Sequence, residues 1–192
     1  MPTIKSLKTP LRYPGGKSRA LVKLLQFLPD LSRVKEYREP FLGGGSVALE
    51  ITKRYPNIEV WVNDLYWPLY NFWCELQHNG HELEKELSNL KGVHCNQDSA
   101  RCLFSEMRDV INDKTKTDLE RAVAFYVVNK CSFSGLTESS SFSAQASDSN
   151  FSMRGIEKLP EYSEIISHWH INQYSYEYCF RTDVHDGLFM YL

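Results

Sequence analysis

The chain has 192 residues, enough for one compact domain or for one domain with a smaller insert. Its 42% hydrophobic and 24% charged residues are ordinary for a globular protein, and a net charge of −2 gives no overall sign of a nucleic-acid partner. The five cysteines form no C-x-x-C pair, and their odd number argues against a disulfide framework. No apolar run is long enough to span a bilayer or to form a signal core, which argues against a membrane span and export and favours a cytoplasmic protein.

The N-terminal part of the sequence is typical of a doubly wound α/β fold. Hydrophobic spacing predicts a helix over residues 18–28, a strand over 36–41, a helix over 47–55 and a second strand over 58–64. A glycine-rich turn separates the first strand from the helix that follows it, which is the order of a nucleotide-binding unit. Residues 1–29 carry six cations and no carboxylate, which fits either a solvated basic arm or an edge that faces phosphates.

The remainder is predicted to be mainly helical before it returns to the sheet. Amphipathic or apolar helices are expected over residues 81–90, 100–112, 119–131 and 156–166. Nine of the 21 residues from 132 to 152 are serine, which predicts a long polar loop. Residues 169–178 are strand-like, and residues 187–192 are predicted to form a buried strand.

The glycine-rich turn is the first motif that carries chemistry. Gly43-x-Gly45 follows a strand and opens a helix, and Asp64 ends the next strand. Glycine lets the backbone approach a ligand closely, and a carboxylate at that strand end accepts hydrogen bonds from the ribose hydroxyls of an adenosine-containing cofactor. Alone, this pattern also fits a nicotinamide-dependent oxidoreductase.

Two further motifs have plain alternatives. Residues 12–18 end in Gly-Lys-Ser, but Leu11 stands where a P-loop needs glycine, so a tight turn before a helix is the plain reading. Residues 129–136 read locally as a helix end followed by a loop. The spacing of the histidines and cysteines matches no zinc site, and no metal is expected.

Taken together, the motifs resemble those of Dam-type DNA adenine N6-methyltransferases. Tyr-Pro-Gly-Gly-Lys at 13–17 resembles their Trp-Ala-Gly-Gly-Lys, and Glu-Pro-Phe-Leu-Gly-Gly-Gly-Ser-Val at 39–47 resembles their cofactor motif. The acidic strand end at 62–65 and the Asn-Lys-x-x-x-x-Gly-Leu of 129–136 follow in the family's order. The resemblance covers nearly the whole chain.

The resemblance implies a Rossmann-like S-adenosylmethionine-dependent fold, incomplete, with a mostly helical target-recognition insert. It implies a donor-binding α/β half over residues 1–64, a DNA-binding insert over 65–168 and a return to the sheet over 169–192. The implied cofactor is S-adenosyl-L-methionine and the implied partner is double-stranded DNA in a bacterial or phage-infected cell. The implied cofactor-binding residues are Tyr13, Gly16, Lys17, Phe41, Gly43, Gly45, Ser46 and Asp64, and the implied DNA-binding residues are Arg12, Lys130, Phe133, Ser134, Gly135 and Leu136.

Two departures from the family pattern bear on activity. Glu138 stands where members that read GATC carry a cation, so a different target sequence is expected. The family's catalytic Asp-Pro-Pro-Tyr is absent, since the chain contains no Pro-Pro pair, and the resemblance places that motif just after Leu192. We therefore expect no catalytic residue within the chain, little methylation by the chain alone, and a C-terminal fragment as a candidate partner that supplies the motif. A non-catalytic protein that only binds DNA or cofactor is the alternative.

Overall fold

The computed structural model describes residues 8–135, 137–181 and 183–192. In these residues a parallel sheet of four strands packs against helices, which confirms the expected α/β class. The strands are β1 (Glu36–Glu39), β2 (Glu59–Asn63), β3 (His170–Asn172) and β4 (Leu188–Met190). The helices are α1 (Leu21–Leu24), α2 (Ser46–Arg54), α3 (Trp67–Val93), α4 (Gln97–Val110), α5 (Asp118–Cys131), α6 (Ala144–Ser149), α7 (Met153–Ile156), α8 (Leu159–Ile166) and α9 (Tyr176–Arg181).

The strand order is β3-β2-β1-β4, and every pairing is parallel. The chain moves from β1 through α2 to β2 on one side, and it returns to the opposite side of β1 only with β4. The strand order therefore reverses between β1 and β4. In open α/β sheets, ligands bind at the carboxyl ends of the strands beside such a reversal.

Strand β1 is polar in sequence but buried along its whole length. Its side chains satisfy one another: the Tyr37 hydroxyl donates to Glu39 at 2.7 Å, and the Arg38 guanidinium pairs with Glu36. Arg38 also donates to the carbonyl of Cys179 at 2.8 Å. Burial of these charges is tolerated because each has a hydrogen-bond partner.

Helices α3, α4 and α5 form the larger part of the core. α5 begins with a capping box in which the side chains of Thr117 and Glu120 each accept from the other's backbone N–H, and it is buried continuously from Ala122 to Cys131. A helical segment that is buried all round lies at the centre of its bundle, so the C-terminal end of α5 is fixed in position.

The secondary structure departs from the sequence predictions in four places. Residues 18–28 form a 3-10 turn (Lys17–Arg19) and the single turn α1, and not one helix. The predicted polar loop of 132–152 contains two 3-10 turns (Phe133–Gly135 and Thr137–Ser139) and α6, so it is largely structured. The strand predicted over 169–178 ends at Asn172 and is followed by α9, and the strand predicted at 187–192 is reduced to β4, which is half-buried. In the described residues, no helix is both long enough and apolar enough to cross a membrane.

Candidate functional site

The glycine turn after β1 is held by its neighbours. Gly43 and Gly45 have φ values of +50° and +66°, which glycine adopts at little cost. A Cβ on Gly45 would lie 2.7 Å from the ring of Trp73, and a Cβ on Gly43 would lie 2.9 Å from the ring of Tyr13. The turn therefore needs glycine for its backbone and for the aromatic rings packed against it.

Asp64 lies against this turn, as the sequence predicts. Its Oδ2 accepts a hydrogen bond from the Gly43 N–H at 2.9 Å, and its Oδ1 accepts from the Tyr66 N–H at 3.1 Å. Burial raises the pKa of Asp64, and the bond from Gly43 opposes that rise. The contact joins the carboxyl ends of β1 and β2. Each carboxylate oxygen of Asp64 has a second lone pair, so the carboxylate can accept further hydrogen bonds.

The segment before α1 covers the turn from the other side. Thr9 donates from its hydroxyl to the carbonyl of Gly44, and the Tyr13 ring packs on Gly43. Burial, followed by the charge of Asp64, raises the pKa of Tyr13. Lys17 is exposed and donates to the carbonyl of Gly15 at 3.0 Å.

These elements enclose a cleft of about 250 Å³, called here the donor cleft, at the reversal between β1 and β4. Six of the eight predicted cofactor-binding residues line it. Gly45 and Asp64 do not, but Gly45 belongs to the same turn and the Asp64 carboxylate is hydrogen-bonded to Gly43, which lines the cleft. Tyr191 and Leu192, next to β4, also line it, although the sequence marked them only as part of a strand. The predicted residues along the cleft are Tyr13, Gly16, Lys17, Phe41, Gly43 and Ser46.

Glu39 is a residue of the donor cleft that sequence analysis missed. It ends β1, its side chain is buried at the cleft wall, and it accepts a hydrogen bond from the Tyr37 hydroxyl. Burial raises its pKa to about 8, against hydrogen bonds from Tyr37 and the backbone of Ala48. A glutamate directly before the turn's proline was the available signal, since strand ends at this edge of a sheet supply ligand-binding groups.

A clamp joins the predicted DNA-binding residues at the end of α5 to the N-terminal segment. The fully buried Asn129 accepts from the Arg12 N–H at 2.9 Å and donates to the Arg12 carbonyl at 2.6 Å. Arg12 in turn donates from its guanidinium to the carbonyl of Ser132 at 2.7 Å. A Cβ on Gly135 would lie 2.7 Å from the Arg12 carbonyl oxygen, so this residue is glycine because the two backbones touch.

The other predicted DNA-binding residues differ in exposure. Phe133 is 63% exposed, with its N–H bonded to the Ser141 carbonyl at 3.0 Å, and Ser134 adopts a left-handed φ of 55°. Lys130 is 9% exposed, which is unusual for a DNA-contacting cation. The predicted recognition hairpin is reduced, in the described residues, to one antiparallel bridge between Ser132 and Phe142. Leu136 lies outside the described residues.

Residues 129–136 are called here the recognition segment. A second, smaller cavity lies between this segment and the donor cleft. It measures about 190 Å³, and Tyr13 and Pro14 line both spaces. Tyr66, Gly135 and Thr137 complete its wall. In the described residues no cluster of three or more histidine, cysteine or carboxylate side chains is placed to hold a metal ion.

Comparison with known proteins shows which family the chain is similar to. The chain is 28% identical over 134 residues to "Type II methyltransferase M.MjaIII" of Methanocaldococcus jannaschii, a match that covers 66% of this chain and 46% of that protein. It is 30% identical over 126 residues to "DNA N-6-adenine-methyltransferase" of Escherichia phage P1, over 66% of this chain and 15% of the phage protein. The chain thus spans less than half the length of either relative. A family model described as D12 class N6 adenine-specific DNA methyltransferase matches residues 13–192, and the chain belongs to that family.

Proposed function

We propose that the donor cleft binds S-adenosyl-L-methionine and that the chain acts in the methylation of adenine N6 in duplex DNA. The observation that carries the proposal is the bond between the Asp64 carboxylate and the Gly43 N–H at the reversal of the sheet. Asp64 would accept hydrogen bonds from the ribose hydroxyls, while the glycine backbone leaves room for the nucleoside beside it.

The charges in the cleft suit a cationic donor. Glu39 and Asp64 are the carboxylates nearest the glycine turn, and each raises the proton affinity of a neighbour there. A cation bound here would lower the raised pKa of both side chains and favour their charged forms, because the attraction between a cation and a carboxylate is stronger where water is largely excluded. The face of Tyr13 adds an aromatic surface for a cation, and Lys17 is placed for a ligand carboxylate.

The smaller cavity would receive the target adenine. A base must leave the helix stack before its N6 can be reached, and it then needs a pocket with stacking surfaces. Tyr13, Pro14 and Tyr66 provide such surfaces, and the first two are shared with the donor cleft. The donor supplies an electrophilic methyl group, and these residues would fix the base next to it and exclude water.

The recognition segment would contact the DNA. Phe133 is an exposed ring that directly follows Ser132, whose carbonyl accepts from the Arg12 guanidinium, so it is placed to fill the gap that an extruded base leaves. Ser134 and Gly135 would follow the groove, and Lys130 and Leu136 are proposed as further DNA-contacting residues. We propose the same division of labour along the chain, with donor binding in 1–64, DNA binding in 65–168 and sheet completion in 169–192.

Titration calorimetry with S-adenosylhomocysteine tests the donor site directly. We expect the parent chain to bind it, and Asp64→Ala to weaken binding by about tenfold to a hundredfold as the ribose bonds are lost. Lys114→Ala, a change of an exposed residue far along the chain, is the matched control. Binding of NAD and not of S-adenosylhomocysteine would instead support an oxidoreductase and would overturn the proposal.

Methyl transfer is a separate measurement. No residue described here is assigned to activating adenine N6, and the chain has no Asp-Pro-Pro-Tyr. We therefore expect this polypeptide to bind duplex DNA and donor product while it incorporates little or no labelled methyl group into DNA. Efficient transfer by the isolated chain would show that other residues activate the base.

A further inference from the structure

A third cavity is separate from the donor cleft and the smaller cavity, and residues 8–10 of the N-terminal segment form part of its wall. It measures about 370 Å³ and has four cations in its wall: Lys8, Lys130, Arg154 and Lys158. No carboxylate is among its lining residues, whose other polar members are hydroxyl and amide side chains. We call it the basic cavity.

Lys130 is the most unusual member of this wall. Its side chain is nine-tenths buried, and within the described residues its ammonium has no hydrogen-bond or ion-pair partner, only the ring of Tyr126 with its centroid 5.1 Å away. Burial and the neighbouring Arg12 lower its pKa to about 8. A mostly buried ammonium that lines a cavity and has no counterion there is a favourable partner for an anion that enters the cavity.

Tyr126 gives a second, independent sign of a missing ligand. Its hydroxyl is fully buried and has no hydrogen-bond partner in the described residues. It lies 3.6 Å from where a Cβ on Gly155 would stand, and Gly155 is part of the cavity wall. Buried polar groups are usually satisfied, so this hydroxyl against the wall residue Gly155, together with the Lys130 ammonium in the wall itself, favours an acceptor in the cavity.

We propose that the basic cavity binds a backbone phosphate of duplex DNA. This inference rests on the proposed function, and it adds Lys8, Arg154 and Lys158 to the DNA-binding surface. The DNA backbone is favoured over a free anion because Lys130 directly follows Asn129, whose side chain clamps Arg12 at the recognition segment. A phosphate there would anchor the duplex without reading its sequence.

The test is the salt dependence of duplex binding. Fluorescence anisotropy with a labelled duplex of arbitrary sequence would compare the parent with Arg154→Ala/Lys158→Ala, two exposed residues outside the donor cleft. We expect about tenfold weaker binding near 0.1 M salt and a slope of log K against log salt smaller by about 1, since one phosphate contact contributes about 0.9. The control is Lys85→Ala/Lys114→Ala, which makes the same charge change at exposed positions outside the cavity, and whose slope should stay that of the parent.

Three other results would overturn the inference, each in a recognisable way. If both double variants keep the parent's slope, the cavity does not contact DNA although the proposed function stands. The cavity holds a free anion if inorganic phosphate raises the Tm of the parent but not that of Arg154→Ala/Lys158→Ala, and if the two proteins show the same salt slope in duplex binding. If the parent binds no duplex at all, the DNA partner of the proposed function fails and this inference fails with it. Unchanged binding of S-adenosylhomocysteine by the variants confirms that they are folded.

Discussion

Replacement of Lys130 by methionine should stabilise the protein. The change keeps an unbranched side chain of similar length and removes a buried ammonium whose pKa is lowered from 10.5 to about 8. At 1.36 kcal/mol per pH unit, that difference corresponds to a cost of about 3 kcal/mol in the folded state. Loss of the cation–π contact with Tyr126 takes back about 1 kcal/mol, so we expect a net gain of about 2 kcal/mol at pH 7.

The free energy of unfolding of the parent should rise with pH above pH 8, and that rise provides a second test of the prediction. Between pH 8 and 10.5 the unfolded chain holds the Lys130 proton while the folded chain has released it, so the parent gains stability as the pH rises. The other charged or titratable groups that face Lys130 are the same in both proteins, so the difference between parent and variant isolates the lysine. The charged or titratable groups around it are Arg12, Cys131 and Tyr126, with Lys8, Arg154, Lys158 and Tyr162 along the cavity.

Urea unfolding at pH 7 and at pH 10 measures both quantities. The gap between Lys130→Met and the parent should be about 2 kcal/mol at pH 7 and should shrink toward zero at pH 10. Lys114→Met, at an exposed position, should leave both values within about 0.5 kcal/mol. A variant that is less stable than the parent at pH 7, or a gap that does not narrow with pH, would show that the lysine is satisfied in the fold and that the reasoning is wrong.

Three more changes probe the turn, the cleft and the clamp. Gly45→Ala places a methyl group 2.7 Å from the buried ring of Trp73 at a left-handed φ and should lower the unfolding free energy by roughly 3 kcal/mol, whereas Gly92→Ala, with open space around it, should change it by less than about 1 kcal/mol in urea titrations. The folded Glu39 has a pKa of about 8 and keeps a proton that the unfolded chain loses near pH 4.5, so the parent loses stability as the pH rises from 4.5 to 8. Glu39→Gln does not titrate. Its unfolding free energy should therefore be near that of the parent at pH 5 and a few kcal/mol higher at pH 9 in urea titrations. Asn129→Ala removes both hydrogen bonds of the clamp and leaves buried backbone groups unpaired, so calorimetry should show a Tm lower by about 6–12 °C, and an unchanged Tm would mean that the clamp is dispensable.

The β1–α2–β2 unit was predictable because local rules determine it. Alternating apolar residues, a glycine turn and the parallel arrangement that a short crossover helix imposes together place Asp64 beside Gly43. The prediction of Asp64 at the turn needed no knowledge of the rest of the chain. The family resemblance supplied the remaining cofactor-binding residues, and the family itself is confirmed by the match over residues 13–192.

Features that depend on contacts between distant parts of the chain could not be predicted from the local sequence pattern. Glu39 belongs to a strand whose residues read as polar, and only the partners supplied by Tyr37 and the α2 backbone explain its burial. The clamp joins Arg12 and Asn129, which are 117 positions apart, and no periodicity connects them. The serine-rich composition of residues 132–152 predicts a polar loop, but serine also caps helices, and Ser143 does so at the start of α6.

The N-terminal segment from Thr9 to Tyr13 is a shared wall. Thr9 and Tyr13 contact the glycine turn, and Arg12 between them is held by Asn129 and meets Gly135. A ligand in the donor cleft and a duplex at the recognition segment would each restrict the motion of the same five residues. The first ligand to bind therefore loses most of the conformational entropy, and the second ligand loses less. In a thermodynamic cycle the two affinities must change by the same factor, so saturating S-adenosylhomocysteine should tighten duplex binding as much as saturating duplex tightens S-adenosylhomocysteine.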